Sequence, residues 1–199
     1  VTDHFEVFGL PRRLAIDVDE LQRRFYALSR QWHPDYYAGA PPEVQARALE
    51  QSARVNAAYR TLRDPIARIE YLVQLEEGRT TREGATVRPE APPELLEEMF
   101  EIQEALAEAR AGGLDEATRR ALEAQRDRLR ARLAEEEARL TGPLAAAWDA
   151  ADAAARPALL EAFKRGLATR AYLRTAIEDL ERALGAEEGT ADHVAHRRH

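Results

Sequence analysis

The sequence predicts an all-α protein built as two helical domains. Nowhere do apolar and polar residues alternate with the period of two that a half-buried strand needs. From Asp17 onward apolar residues recur instead at spacings of three and four, the repeat of a single buried helix face. Between Glu76 and Pro93 that repeat stops, and Gly78, Gly84, Pro89, Pro92 and Pro93 crowd a charged stretch, as in a linker. The expected organisation is a first domain at 1–76, a linker at 77–93, a helical bundle at 94–185 and a frayed tail at 186–199.

Each element has its own local reason. Residues 5–11, Phe-Glu-Val-Phe-Gly-Leu-Pro, read as an apolar turn or single-turn helix that plugs the base of the helices after it. Asp17 is a good N-cap, with Glu20 at capping-box spacing, and Leu21, Phe25, Leu28 and Trp32 then form one stripe. Pro34 disfavours helical geometry at His33, so this helix ends there, and a loop punctuated by Gly39, Pro41 and Pro42 follows. A long helix over about 43–62 should run antiparallel to the first, with Val44, Ala48, Val55, Tyr59 and Leu62 inward. Asp64-Pro65 is a cap followed by proline at the first helical position, opening a short helix to about Leu75. Beyond the linker, helices over about 94–111, 115–140 and 157–184 make a three-helix bundle, separated by Gly112-Gly113 and by Gly142-Pro143 with an Ala-rich link. Leu122, Leu129, Leu133 and Leu140, with Phe163, Leu167, Ile177, Leu180 and Leu184, supply its inward faces.

Composition excludes several functions. With 45% hydrophobic and 33% charged residues the chain is folded and charge-rich, and no run approaches the roughly 18 apolar residues of a membrane span. Val1 to Leu10 lack a basic stretch leading into an apolar run, so a cytoplasmic address is expected. The absence of cysteine rules out disulfides, thiolate metal sites and a cysteine nucleophile. The net charge of −7 lies wholly in residues 76–199, because residues 1–75 balance ten Arg against ten Asp plus Glu. A neutral first domain argues against a nucleic-acid partner, which needs a strong basic field. The tail histidines, His193, His196 and His199, lack a ligand set, and no metal or cofactor is expected.

His33-Pro34-Asp35 sits between the two antiparallel helices. Proline fixes its own φ near −65°, so the corner is tight and its two polar side chains have little freedom left to lose on being gripped. This arrangement resembles a J domain, whose signature is this triplet in this place, and the likeness spans about residues 3–75. The stretches at 5–11, 31–35 and 55–72, with the linker and bundle behind them, are similar to the HscB-type co-chaperones of iron-sulfur cluster assembly. The resemblance implies a non-enzymatic adaptor with two partners, a DnaK-type ATPase chaperone (HscA-like) and the iron-sulfur scaffold protein (IscU-like). On that reading His33, Pro34 and Asp35 meet the chaperone, Asp35 accepting charge-assisted bonds from a cation there. Arg23, Tyr26 and Arg30, at i, i+3 and i+7 on the face away from Leu21 and Phe25, extend the contact as a basic patch. Tyr36 stands where many J domains carry lysine, so no role passes to that position.

A second site is legible in the helix beginning near Glu94. Leu95, Met99, Ile102 and Leu106 suffice for its core stripe, leaving Leu96 and Phe100 about 90° to 130° around the helix. Glu97, Glu101, Glu104 and Glu108 flank them, and an apolar pair rimmed with carboxylates suits a basic partner. The same positions match the scaffold-binding pattern of the HscB family, with Tyr172 of the last helix standing where an aromatic contributes. Read from the residues alone, a solvated glutamate face with Leu96 and Phe100 widening the core is as good an account. Two rival functions stand beside the adaptor. One is a J-domain protein whose bundle binds another client or itself. The other is an enzyme using His33 and Asp35 as acid and base, which lacks an accompanying nucleophile or phosphate-cradling loop.

Overall fold

Asp3 opens the chain's first ordered turn. Its carboxylate accepts the Glu6 N–H at 2.8 Å while the Glu6 carboxylate accepts the Asp3 N–H at 3.2 Å, a reciprocal capping box on α1 (His4–Val7). The computed structural model describes residues 3–78, 93–113 and 115–185, and among these every regular element is helical. After α1 come α2 (Val18–Gln31), a 3-10 turn (Pro34–Tyr37), α3 (Pro42–Arg63) and α4 (Pro65–Glu76). The second half holds α5 (Pro93–Gly112), α6 (Glu116–Arg139), a π-helical turn (Leu140–Leu144), α7 (Ala145–Ala150) and α8 (Arg156–Gly185). Contacts divide the chain into two compact units, Val1–Gly84 with Leu140–Leu160, and Ala85–Arg139 with Glu161–His199. The expected tail and most of the expected linker lie outside the described residues.

In the first unit, Phe5 and Phe8 are buried against Leu21 of α2 and Val55, Ala58 and Leu62 of α3. The apolar turn thus plugs the helix pair as its sequence suggests. Phe25 and Tyr59 stack across the pair with ring centroids 4.0 Å apart. Gly9 takes φ +60°, the left-handed region that favours glycine, and the turn there is held by Arg24, which donates to the Phe8 and Gly9 carbonyls at 2.7 and 3.1 Å. Asp17 caps α2 through the Asp19 and Glu20 N–H groups, both at 3.0 Å. Glu20 directs its own carboxylate to Arg23 and Arg24, so the box foreseen at Asp17 closes on one side. Val44 departs from the inward stripe: it is 39% exposed, because the buried face of α3 begins one turn later at Ala48.

The Ala-rich stretch is the main difference from the sequence reading. It is not a link within the bundle: the π turn carries Pro143, whose missing N–H suits a widened turn, and α7 follows directly. Leu140, Ala145 and Trp148 are buried, and the segment groups with the first unit, where the π turn packs on α4. Asp149 accepts the N–H groups of Leu14 and Ala15, each at 2.8 Å. Arg68 of α4, also buried, donates to the carbonyls of Leu62 and Leu14. Burial pushes the Arg68 pKa down, opposed by the charges of Asp64 and Asp149. Leu140, assigned above to the bundle, is therefore a core residue of the first unit.

The second unit is the three-helix bundle. Its core joins Leu95, Ile102, Leu106 and Ala109 of α5, Leu122 and Leu129 of α6, and Leu173, Ile177, Leu180 and Leu184 of α8, with Met99 and Leu133 packed against it. Gly113 at φ +80° ends α5, and Asp115 caps α6 by accepting the Thr118 N–H at 2.7 Å, which holds its carboxyl below the usual range. Arg132–Glu98 and Arg170–Glu137 pairs tie the helices together on the outside, at 2.6 and 2.7 Å.

Candidate functional site

Pro34 places His33 in extended backbone, φ −67° and ψ 125°, so α2 cannot continue through it. The imidazole then caps the short turn that follows: Nδ1 accepts the Asp35 N–H at 3.3 Å, and the His33 carbonyl accepts the Tyr36 N–H at 3.1 Å. Other groups brace the corner from both sides. The Tyr37 hydroxyl donates to the Gln31 carbonyl at 2.9 Å, and its ring stacks on Trp32. Gln45 of α3 donates to the carbonyls of Ala38 and Ala40 at 3.2 and 2.8 Å.

The Asp35 carboxylate is left outside this network. Its side chain is 87% exposed and lies 3.6 Å from His33 Nδ1, beyond a hydrogen bond. With Nδ1 occupied by a backbone donor, the imidazole positions the turn, and the carboxylate is presented to solvent. The His33 and Asp35 side chains are not hydrogen-bonded to each other.

Arg23, Tyr26 and Arg30 are exposed on α2. Arg23 is paired with Glu20 through two hydrogen bonds of 3.0 and 2.7 Å, and its pKa is raised by that contact. Arg30 has no carboxylate within ion-pair distance among the described residues. Tyr26, Ser29, Arg30, His33 and Tyr36 together line an open hollow of about 290 Å³ beside the corner. Ser29 is not singled out by the sequence, and Tyr36 is noted there only as a departure from the family's lysine. Ser29 falls between the two faces of α2.

On the bundle, Leu96 and Phe100 are 43% and 76% exposed, and Glu97, Glu101, Glu104 and Glu108 are exposed around them. The pair does not widen the core, so the face is apolar with an acidic surround. Tyr172 is placed differently. It is 7% exposed and packs in the bundle core, because α8 turns that position toward Leu173 and Ala176's buried side of the bundle. Its hydroxyl has no hydrogen-bond partner among the described residues, and burial, with the Glu98 charge, pushes its pKa up to about 12. No group of three or more His, Cys, Asp or Glu among the described residues is arranged to hold a metal ion, and no described helix is long and apolar enough to cross a membrane.

Comparison with known proteins gives both halves a context. The family model for the DnaJ domain matches residues 3–71, and that for the HSCB C-terminal oligomerisation domain matches residues 91–158. The chaperone HscB from Vibrio cholerae is 28% identical, with a TM-score of 0.60 over 90% of this chain and 96% of its own. The human co-chaperone protein HscB is 26% identical, with a TM-score of 0.59 over 90% of this chain and 80% of its own. With a DnaJ domain and an HSCB C-terminal domain in tandem, and with HscB structures matching over 90% of its length, the chain belongs to the HscB family of J-domain co-chaperones.

Proposed function

We propose that this protein stimulates the ATPase of a specialised, HscA-like DnaK-type chaperone in the cytoplasm, and delivers an IscU-like iron-sulfur scaffold to it. It is an adaptor and performs no chemistry of its own. The observation that carries the reading is the Asp35 carboxylate, 87% exposed on a corner braced by the bonds of His33 Nδ1 and the Tyr37 hydroxyl. A charge held in place loses little entropy when a cation on the chaperone meets it, and a charge-assisted bond is about twice as strong as a neutral one. Arg23, Tyr26 and Arg30 lead up to the corner and suit an acidic surface. The test is the chaperone's ATPase rate with wild-type protein and with Asp35→Asn, scaffold present. Stimulation should fall by more than tenfold with Asp35→Asn, and equal stimulation by both proteins would refute the role of the corner.

The exposed Leu96 and Phe100, ringed by Glu97, Glu101, Glu104 and Glu108, support the bundle as the scaffold's seat. Tyr172, placed on the scaffold-binding face by resemblance, lies in the bundle core instead. A second reading is favoured by the matched domain's description as an oligomerisation domain: the exposed pair would then join two copies of the chain. Leu96→Ala/Phe100→Ala decides between them: scaffold affinity reduced at least tenfold, with solution mass unchanged, supports delivery. A changed mass with unaltered scaffold affinity supports self-association.

A further inference from the structure

The hollow beside the corner has a composition that the basic patch alone does not explain. Tyr26 and Tyr36 are 55% and 74% exposed, a large amount of ring surface left in water on one small area. Both rings are restrained. The Tyr26 hydroxyl accepts from Gln22 at 3.2 Å, and the Tyr36 ring meets the His33 imidazole edge-on at 5.9 Å. The walls are thus set before any partner arrives, and filling the space costs little ordering. Ser29, on the lining, has a buried hydroxyl with no hydrogen-bond partner among the described residues. Arg30, also on the lining, has a charge with no carboxylate partner among them. Asp35, immediately before Tyr36, carries the opposite charge to Arg30.

We infer that this hollow is a specificity pocket for one large aliphatic or aromatic side chain of the ATPase chaperone. That side chain is presented between a carboxylate that meets Arg30 and a cation that meets Asp35. Three features choose this occupant. A space of about 290 Å³ walled by two tyrosine rings admits a bulky apolar side chain and gives a small polar one nothing to replace its water. The two charges of opposite sign fix the direction in which the partner's segment must lie. The partner's own backbone or a neighbouring hydroxyl can satisfy Ser29 once its side chain rotates. Tyr36 is then a contact in its own right, although lysine is common at this position in other J domains. Buried aromatic anchors are what protein interfaces most often depend on.

The inference rests on the co-chaperone reading, and the experiment separates the two. The concentration of this protein giving half-maximal stimulation of the chaperone's ATPase is measured for the wild type, Tyr36→Ala, Tyr36→Phe and Asp35→Asn. Tyr36 is exposed, so its truncation leaves the fold intact. Tyr36→Ala should raise the half-maximal concentration about tenfold. Tyr36→Phe, which keeps the ring, should stay within about twofold, and Asp35→Asn should lose the maximal rate. Tyr36→Ala within about twofold of wild type, while Asp35→Asn is inactive, overturns the pocket and leaves the corner standing. Full stimulation by Asp35→Asn overturns both. A change of solution mass on Tyr36→Ala without a change in stimulation assigns the hollow to a second copy of the chain and overturns the inference.

Discussion

His4 shows how a single side chain links the fold to pH. The imidazole stacks on Tyr71 with ring centroids 4.2 Å apart, and the His4 backbone N–H donates to the Tyr71 hydroxyl at 2.9 Å. Burial lowers the pKa of its imidazole, Asp3 opposes this and Arg54 adds to it. Unfolded, the same imidazole takes a proton near 6.5. Well above that pH neither state binds the proton and the stack is undisturbed. As pH falls through about 6.5 the unfolded state gains protons that the folded state refuses, and stability drops until the folded pKa is passed as well. The melting temperature of the wild type should therefore fall more steeply between about pH 7.5 and pH 5.5 than that of His4→Phe, which keeps a ring against Tyr71. Parallel curves for the two proteins would show that His4 titrates alike in both states.

At the scale of elements, the sequence marks starts and stops well because caps and prolines act locally. Asp17, Pro34, Asp64 and Gly113 each sit where the chain changes conformation, for reasons confined to a few neighbouring residues. Buried stripes were legible too: Leu95, Ile102 and Leu106 pack inward, and Leu96 and Phe100, one position on, are left in solvent. Two kinds of information were missing. The first is which partner an apolar face meets: Leu140 reads as part of the bundle, yet is buried in the other unit, since periodicity gives the direction of a face and says nothing of its neighbour. The second is rotation about a helix axis at a single aromatic. Tyr172 was assigned by resemblance to a binding face and lies in the core, where a tyrosine's ring packs as well as any apolar side chain. Tyr36 takes no role from the resemblance, because it stands where many J domains carry lysine. Only its placement beside Tyr26 and His33 gives it meaning.

At the scale of the molecule, the first unit is assembled from the two ends of a long stretch of chain. Asp149 takes the amides of Leu14 and Ala15, 135 and 134 residues away, while Arg68 holds the Leu14 carbonyl from the other side. Asp149→Ala leaves two amides without their acceptor at a partly buried site, a loss of about 1–3 kcal/mol. The full chain should then melt several degrees lower, and Asp149→Asn, which keeps one acceptor oxygen, should fall between. An unchanged melting temperature for Asp149→Ala would mean that water replaces the carboxylate without cost. The same contact bears on how the protein is made. Domains commonly fold as they leave the ribosome, the N-terminal one first. Here the amides of Leu14 and Ala15 wait for an aspartate translated some 135 residues later, so the nascent His-Pro-Asp corner is exposed to the cell well before its own unit is finished.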